Sequence, residues 1–313
     1  MAELVTVDGP FVSVVVPVWN GERTIGDCLA SVLRAEYPAE RREVIVVDNA
    51  SRDRTAEIVA RYPVRCVDEP ERGPSAARNR GIAVSRGKVV AFIDADCIVT
   101  KRWLAELVAG FADEETFAVA GEIVAYPPVT PAERYHAMRK SRWQASALSS
   151  TRPFAITANV AFRRETFDRI GLFDPRLRTA QDKDFGWRFF EAGLKLLYNE
   201  RAVVFHRHRP TGWGLFKQHV LWGYGAALLH QKHSLPWSLG KELRKYGELV
   251  VALGTGGRAA IRYARYGGDQ MKLYYPLYEL VRRAGLRVGA LYGMVHRLPR
   301  ATESRSVIRT GPP

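Results

Sequence analysis

Lys88-Val89-Val90-Ala91-Phe92-Ile93-Asp94-Ala95-Asp96 carries an apolar run straight into two acids. Its unbroken apolar run has the character of a strand buried on both faces, as strands of parallel sheets are. Side chains two apart on a strand share a face, so the run predicts that Asp94 and Asp96 emerge together where the strand stops. In an open α/β sheet, ligands bind beyond the carboxyl ends of the strands. Two neighbouring carboxylates repel unless a cation joins them, and hard divalent cations take oxygen ligands. The pair therefore calls for Mg²⁺ or Mn²⁺ with a phosphate beside it; the competing reading is a strand end capped by two solvated acids.

Working outward from that strand, apolar runs alternate with amphipathic segments. The spacing predicts strands at Phe11–Val18, Glu43–Asp48, Val64–Val67 and Phe117–Ala125, separated by helices at Thr24–Leu33, Arg54–Tyr62, Ser75–Ser85 and Lys101–Ala112. This rhythm makes the chain an α/β protein with a mostly parallel sheet flanked by helices. Pro127, Pro128 and Pro131 break it. Strand character returns at Phe154–Arg163 and Val203–His208, a helix is expected over Asp182–Ala192, and the chain reads as helical from Trp213 onward. Three parts are thus expected: 1–125, 126–210, and a helical C-terminal extension over 211–313.

The chain has 313 residues, 47% apolar and 26% charged, the composition of an ordinary folded core. It contains no unbroken apolar stretch of the roughly 18–20 residues that cross a membrane, and Met1–Pro10 lacks the basic start of a signal peptide. Cys28, Cys66 and Cys97 are widely spaced, which fits buried thiols in a reducing cytoplasm better than a disulfide framework or zinc cluster. Charge is unevenly spread. Residues 201–313 carry 19 basic and 5 acidic side chains, and that excess equals the whole net charge of +14. A basic extension on a neutral body suggests an anionic surface as its partner.

Asp48 ends the second strand as Asp94 and Asp96 end the fourth, so all three are expected on one rim, with Asn49 beside Asp48. A carboxylate or amide there could accept a base N–H; a helix cap at Ser51 or Asp53 is the plainer alternative. Arg72-Gly73-Pro74-Ser75-Ala76-Ala77-Arg78 sets a glycine turn before a helix. A helix start with guanidinium groups suits a diphosphate. The chain has no G-x-G-x-x-G after the first strand and no G-x-x-x-x-G-K-[ST], which weighs against a nicotinamide dehydrogenase or a P-loop NTPase.

Taken together, Val14–Asn20, Val47–Asp53, Gly73–Gly81, Asp94-Ala95-Asp96, Asn159–Arg164, Gly171–Asp174 and Gln181-Asp182-Lys183-Asp184-Phe185 resemble, in order and spacing, the motifs of family 2 glycosyltransferases. The resemblance spans about residues 11–210. It implies the GT-A fold and an inverting, metal-dependent transfer from a nucleoside-diphosphate sugar, with a UDP-sugar first among donors, to a saccharide or lipid-linked hydroxyl. By the same resemblance, Pro17 and Asn20 line the nucleotide pocket, Asp48 or Asn49 meets the base, Arg78 the diphosphate, and Asp94 the ribose or sugar. Asp96 holds the metal and Asp182 is the catalytic base. His206 joins the metal, and Asn159, Asp184 and Trp187 fall on the acceptor side. Two departures stand out: Asn49 where many members have a second Asp, and Gln181 in place of Glu.

In the extension, Arg258–Tyr266 and Leu280–Val288 mix arginines with apolar residues in helical register. Such helices can lie in a membrane interface, which implies a cytoplasmic protein peripheral to the inner face of the membrane. No nucleic-acid motif accompanies the charge. Two other functions compete: a silent sugar-nucleotide or polysaccharide binder, and a sugar-phosphate nucleotidyltransferase, whose lysine-containing glycine loop Val18–Gly21 does not supply.

Overall fold

The computed structural model describes residues 9–139, 143–236 and 238–296. Its first half alternates as expected: β1 (Val12–Val18), α1 (Ile25–Leu33), β2 (Arg42–Asp48), α2 (Thr55–Val59), β3 (Arg65–Asp68), α3 (Pro74–Val84), β4 (Val89–Ile93), β5 (Cys97–Val99), α4 (Trp103–Ala109) and β6 (Thr116–Ala125). There follow α5 (Pro131–Arg139), α6 (Trp143–Leu148), β7 (Asn159–Arg163), α7 (Glu165–Ile170), α8 (Gln181–Glu191) and β8 (Lys195–His206). The long helices α9 (Gly212–Lys232), α10 (Leu239–Tyr266) and α11 (Gln270–Val295) close the chain.

One eight-stranded sheet has the order β3-β2-β1-β4-β7-β6-β8-β5. The first four strands are parallel, whereas β7 runs antiparallel to both β4 and β6, and β5 antiparallel to β8. The sheet is therefore mixed, with its parallel half carrying the β-α-β rhythm. Strand order reverses at β1, which has β2 on one side and β4 on the other, the place where open sheets leave a crevice. Val18 pairs with Asp48, and Val15 with Phe92, so Asp48 and Asp94 leave the sheet on the same rim.

Alternation on β1 explains the two cores. Val12, Val14, Val16 and Val18 point to one face with Ile25 and Leu29 of α1; Val15 points to the other with Ala77 and Ile82 of α3. Helix α3 comes unusually close. A Cβ on Gly81 would lie 2.3 Å from Val15 Cγ1, so only glycine lets this helix seat on β1 and carry Arg78 over the rim. On the same face the Phe173 and Phe185 rings stack at 4.4 Å, fixing α8 against the sheet through its own apolar stripe.

The helical extension is not a separate body. Gly285, Gly289 and Gly293 of α11 face α9, where a Cβ on Gly289 would sit 1.9 Å from the Val220 carbonyl oxygen. Helix α9 in turn presses Gly225 against the Thr179 backbone, and Tyr135 of α5 donates to Glu279 of α11 at 2.6 Å. Cys28 and Cys97 are buried, but Cys66 is exposed on the edge strand β3, contrary to the expectation for all three. β3 has only one neighbour in the sheet, and three of its four residues are exposed.

Candidate active site at the carboxyl rim

Asp94 and Asp96 do not lie on a strand. β4 ends at Ile93, and a tight turn closed by Cys97 N–H on the Asp94 carbonyl (3.0 Å) leads into β5. The turn separates the two carboxylates by task. Asp94 accepts a hydrogen bond from Arg78 Nη2 at 2.7 Å, an ion pair whose arginine side chain is almost wholly buried. Asp96 turns toward β8 instead. Because β5 pairs with β8 so that Cys97 stands opposite His206, His206 Nε2 comes to 3.5 Å from Asp96 Oδ1. Antiparallel pairing thus joins residues that stand more than a hundred positions apart.

This corner fits a divalent cation. Asp96 Oδ1 and His206 Nδ1 are buried without hydrogen-bond partners, and a carboxylate oxygen beside an imidazole nitrogen is a donor pair that divalent metal ions accept. Asp96, Cys97 and His206 bring potential ligand atoms within 4.8 Å of one another. Burial, followed by the charges of Asp96 and Asp94, pushes the Cys97 thiol far up, so it behaves as a protonated core group.

Asp182 stands in the first turn of α8, half-buried, with its Oδ1 accepting the Lys183 N–H at 2.8 Å. Burial raises its carboxyl above the ordinary aspartate range. Lys183 and its backbone N–H pull the other way, as does Arg78, while Asp94 adds to the rise. These couplings put Asp182, Arg78 and Asp94 in one electrostatic neighbourhood, with Asp94 the link to Asp96. The approach to α8 is held from α3. Ser75 Oγ donates to the Leu177 carbonyl at 3.0 Å, and the Asn79 amide both donates to Phe173 O (2.8 Å) and accepts from Phe173 N (3.0 Å). Ala180, just before the helix, has φ 61°, a left-handed conformation that a side-chain-bearing residue adopts at a cost.

On the opposite lip, Pro17 is partly exposed near the end of β1. Asn20, at φ 49°, accepts from Arg52 N–H at 2.8 Å and donates its own N–H to Ser51 Oγ at 2.9 Å, tying the β1 loop to the β2 loop. Asp48 is buried at the end of β2 and accepts from Ser51 N–H at 3.0 Å.

Four of the expected site residues are tied into the protein's own interactions. Asn49, expected as one of two alternatives with Asp48 to meet a base, spends its amide within the chain on Glu69, Glu71 and Gly73. Asn159, expected on the acceptor side, is fully buried: it accepts from Trp103 Nε1 at 2.8 Å and donates to the Glu122 and Ala202 carbonyls. It is a strut between β6, β7 and β8. Asp184 is also fully buried, held by Lys232 at 2.8 Å, His233 at 2.9 Å and Arg188 at 3.1 Å. Burial favours its protonated form, yet the hydrogen bonds from Lys232 and His233 and the charges of Arg188 and Lys232 outweigh it and hold the carboxyl low. Trp187 lies under the Arg152 guanidinium at 4.0 Å and its ring N–H donates to the Arg152 carbonyl, so one face is covered.

Sequence reasoning missed Ser75 and Asn79, although their i, i+4 spacing beside Arg78 is a legible polar face of α3. It also missed Lys232, which bridges Asp184 and Asp174 from the end of α9 and carries no sequence signal.

The model of the glycosyl transferase family 2 matches residues 13–171, just over half the chain. The chain belongs to glycosyl transferase family 2. Among its relatives, the glycosyltransferase AglE of Haloferax volcanii is 34% identical over 217 residues, 67% of this chain and 71% of that protein. The pre-mycofactocin glycosyltransferase of Mycobacterium tuberculosis is 31% identical over 276 residues, 80% of this chain. This family 2 chain spans only 57% of the mycobacterial protein's length. Among solved structures, the mannosyltransferase PcManGT of Pyrobaculum calidifontis, in complex with GDP-Man and Mn²⁺, superposes with TM-score 0.62 at 22% identity, covering 92% of this chain and 88% of that one. TarS 1–349 of S. aureus with UDP-GlcNAc gives 0.53 at 17% identity, over 90% and 91%. Both likenesses bear on the fold alone, and that fold is the GT-A type.

Proposed function

We propose that this family 2 chain transfers a sugar from a nucleoside-diphosphate donor to a hydroxyl of a saccharide or lipid-linked acceptor, with inversion at the anomeric carbon. One observation carries the reading. The Arg78–Asp94 pair shares an electrostatic neighbourhood with a carboxyl of raised pKa, Asp182, while Asp96, two residues beyond Asp94, faces His206 with buried donor atoms that make no hydrogen bond. In these roles 1–125 forms the donor half and 126–210 the acceptor half. The donor diphosphate lies at the start of α3, where Gly73 and Pro74 open the helix and Arg78, with its Nε unpartnered, supplies positive charge. Asp96 and His206 would hold Mg²⁺ or Mn²⁺, which supplies charge stabilisation at the leaving phosphate.

Asp182 takes the acceptor's proton as the hydroxyl attacks opposite the leaving group. Its raised pKa makes it a better base than an ordinary aspartate, at the cost of an acid limit. UDP-sugars are the first donors to test and GDP-sugars the second, because the solved relatives carry both nucleotides.

The C-terminal helices extend this reading to a surface. Among the described residues no helix is long and apolar enough to cross a membrane. The outer face of α10, however, exposes Leu243, Val250, Leu253 and Ile261, flanked by Arg258, Arg262 and Arg265. We propose that this face lies on the anionic cytoplasmic leaflet, where a lipid-linked acceptor would be met.

The test is release of nucleoside diphosphate with Mn²⁺ across acceptor sugars and lipid extracts. Asp182→Asn is expected to lower kcat by about 10²–10⁴-fold with donor affinity kept. Full turnover by that variant would refute the assignment of the base. Donor binding without acceptor-dependent release in the native chain would favour a binder over an enzyme.

A further inference from the structure

Asn49 is 5% exposed and completes three hydrogen bonds with one loop. Its Nδ2 donates to the Glu69 carbonyl at 2.9 Å and to the Glu71 carbonyl at 2.6 Å, and its Oδ1 accepts from the Gly73 N–H at 2.7 Å. Every hydrogen-bonding atom of the terminal amide except one lone pair is used, and the pattern fixes its orientation: a flipped amide would set oxygen against two carbonyl oxygens. The loop it gathers runs from the end of β3 to the first residue of α3, and Arg72 lies within it. Arg72 is thereby placed with its guanidinium 4.4 Å over the Trp19 ring, and its Nη1 donates to the Ala50 carbonyl at 3.3 Å. Trp19 follows β1 directly and is 55% exposed, so this ring and guanidinium form an open, flat, cationic wall on the lip next to Asp48.

We propose that Asn49 is a positioning residue that latches the 69–73 loop, so that Arg72 and Trp19 make one preassembled wall of the pocket for the donor's nucleoside diphosphate. The inference rests on the donor reading above and goes beyond it by giving Asn49 a role in which it never touches ligand. Chemistry makes the residue type specific. Aspartate has the same shape but no N–H, so at this position it would set a carboxylate against two carbonyl oxygens and release the loop. A loop that must be ordered at each binding event costs affinity for the donor without altering the proton transfer at Asp182.

The experiment measures UDP and GDP binding calorimetrically with Mn²⁺, and donor steady-state kinetics, for the full chain, Asn49→Asp, Arg72→Ala and the double variant. Asn49→Asp is expected to weaken nucleotide binding about tenfold or more, roughly 1.4 kcal/mol, raising donor KM while kcat at saturating donor stays within about twofold. Arg72→Ala should weaken it as well, and the double variant should be no weaker than Asn49→Asp alone, because both act through one wall. Nucleotide affinity of Asn49→Asp within about twofold of the native chain overturns the latch, as do fully additive losses. Native protein that binds neither nucleotide overturns the donor reading and takes the latch with it, a result distinct from the other two. Should Asn49→Asp fail to fold, hydrogen exchange of the native chain still decides: the Gly73 amide must be protected, and exchange at the rate of an open loop overturns the proposal.

Discussion

The carboxyl rim and α10 solve the problem of charge in opposite ways. At the rim, cations meet carboxylates over short distances: Arg78 with Asp94, Lys232 with Asp174 and Asp184, Arg176 with Asp174. Along α10, Arg258, Arg262 and Arg265 are exposed and sit beside uncovered apolar side chains. A charge that is buried must be paired within the fold, so the rim is fixed internally. Charge that stays in water needs no internal partner and is left free to set the field toward an outside one. The first arrangement fixes side chains in place, and the second leaves charge turned outward.

Helix α9 sits between these regimes, and the sharpest way to break the comparison is to remove its anchor. Lys232→Met leaves Asp174 and Asp184 with fewer cations in a dry site. A loss of about 3 kcal/mol is expected, read as a lower denaturation midpoint in urea, with reduced kcat in the surviving folded protein because Asp182 shares the segment. A shift below half a kilocalorie, on the order of a surface substitution, would return α9 to the role of a loosely attached extension.

The second ion cluster tests the same contrast by pH. Burial alone would raise the Glu279 carboxyl, but hydrogen bonds from Arg282 and Tyr135, with the charge of Arg282 and a further bond from Arg283, bring it from 4.5 down to about 2. A depressed carboxyl stabilises the folded state fully above its unfolded pKa and loses that contribution as pH falls through the folded one. The melting temperature should therefore fall between about pH 4.5 and pH 2, with a smaller fall in Tyr135→Phe. A fall unchanged in Glu279→Gln would assign the acid loss to other carboxylates.

A smaller effect is expected in the rate profile. As the proposed base, Asp182 would have to be ionised to accept a proton, and because its pKa is raised the acid limb of kcat should lie above the ordinary aspartate range. Lys183→Met removes a charge that favours the carboxylate and should move the limb to still higher pH. A limb that stays in place would detach it from Asp182.

The mildest change is at the far surface. Val250→Glu with Ile261→Glu should abolish flotation with anionic vesicles and leave transfer to a soluble acceptor intact, because neither side chain packs inside the protein. Equal flotation would remove the membrane from the proposal.

Several features were legible in the sequence because they depend on local period. Runs such as Val44–Val47 and Val89–Ile93 announce strands, and the intervening amphipathic segments announce helices. Two elements were misjudged for physical reasons. β5 is three residues long, too short for any period to show. β8 begins at Lys195, eight residues before the apolar stretch that signals it, because its first part includes Asn199, Glu200 and Arg201 at an irregular register against β6. The burial of Asn159 and Asp184 was illegible as well: a polar residue in a motif looks alike whether it faces a ligand or a buried partner.

By itself the sequence determined the alternating α/β plan, the rim on which Asp48 and Asp94 emerge, and the basic imbalance of the last third, since each follows from side-chain period or composition. Only the tertiary structure decided that Asp94 belongs to Arg78 and Asp96 to His206, and that Asn49 binds a loop. It also decided that Lys232 reaches back to the segment carrying Asp182. Those pairings join residues from distant parts of the chain, and hydrogen-bond and ion-pair partners are set by distance in space, which no local pattern encodes.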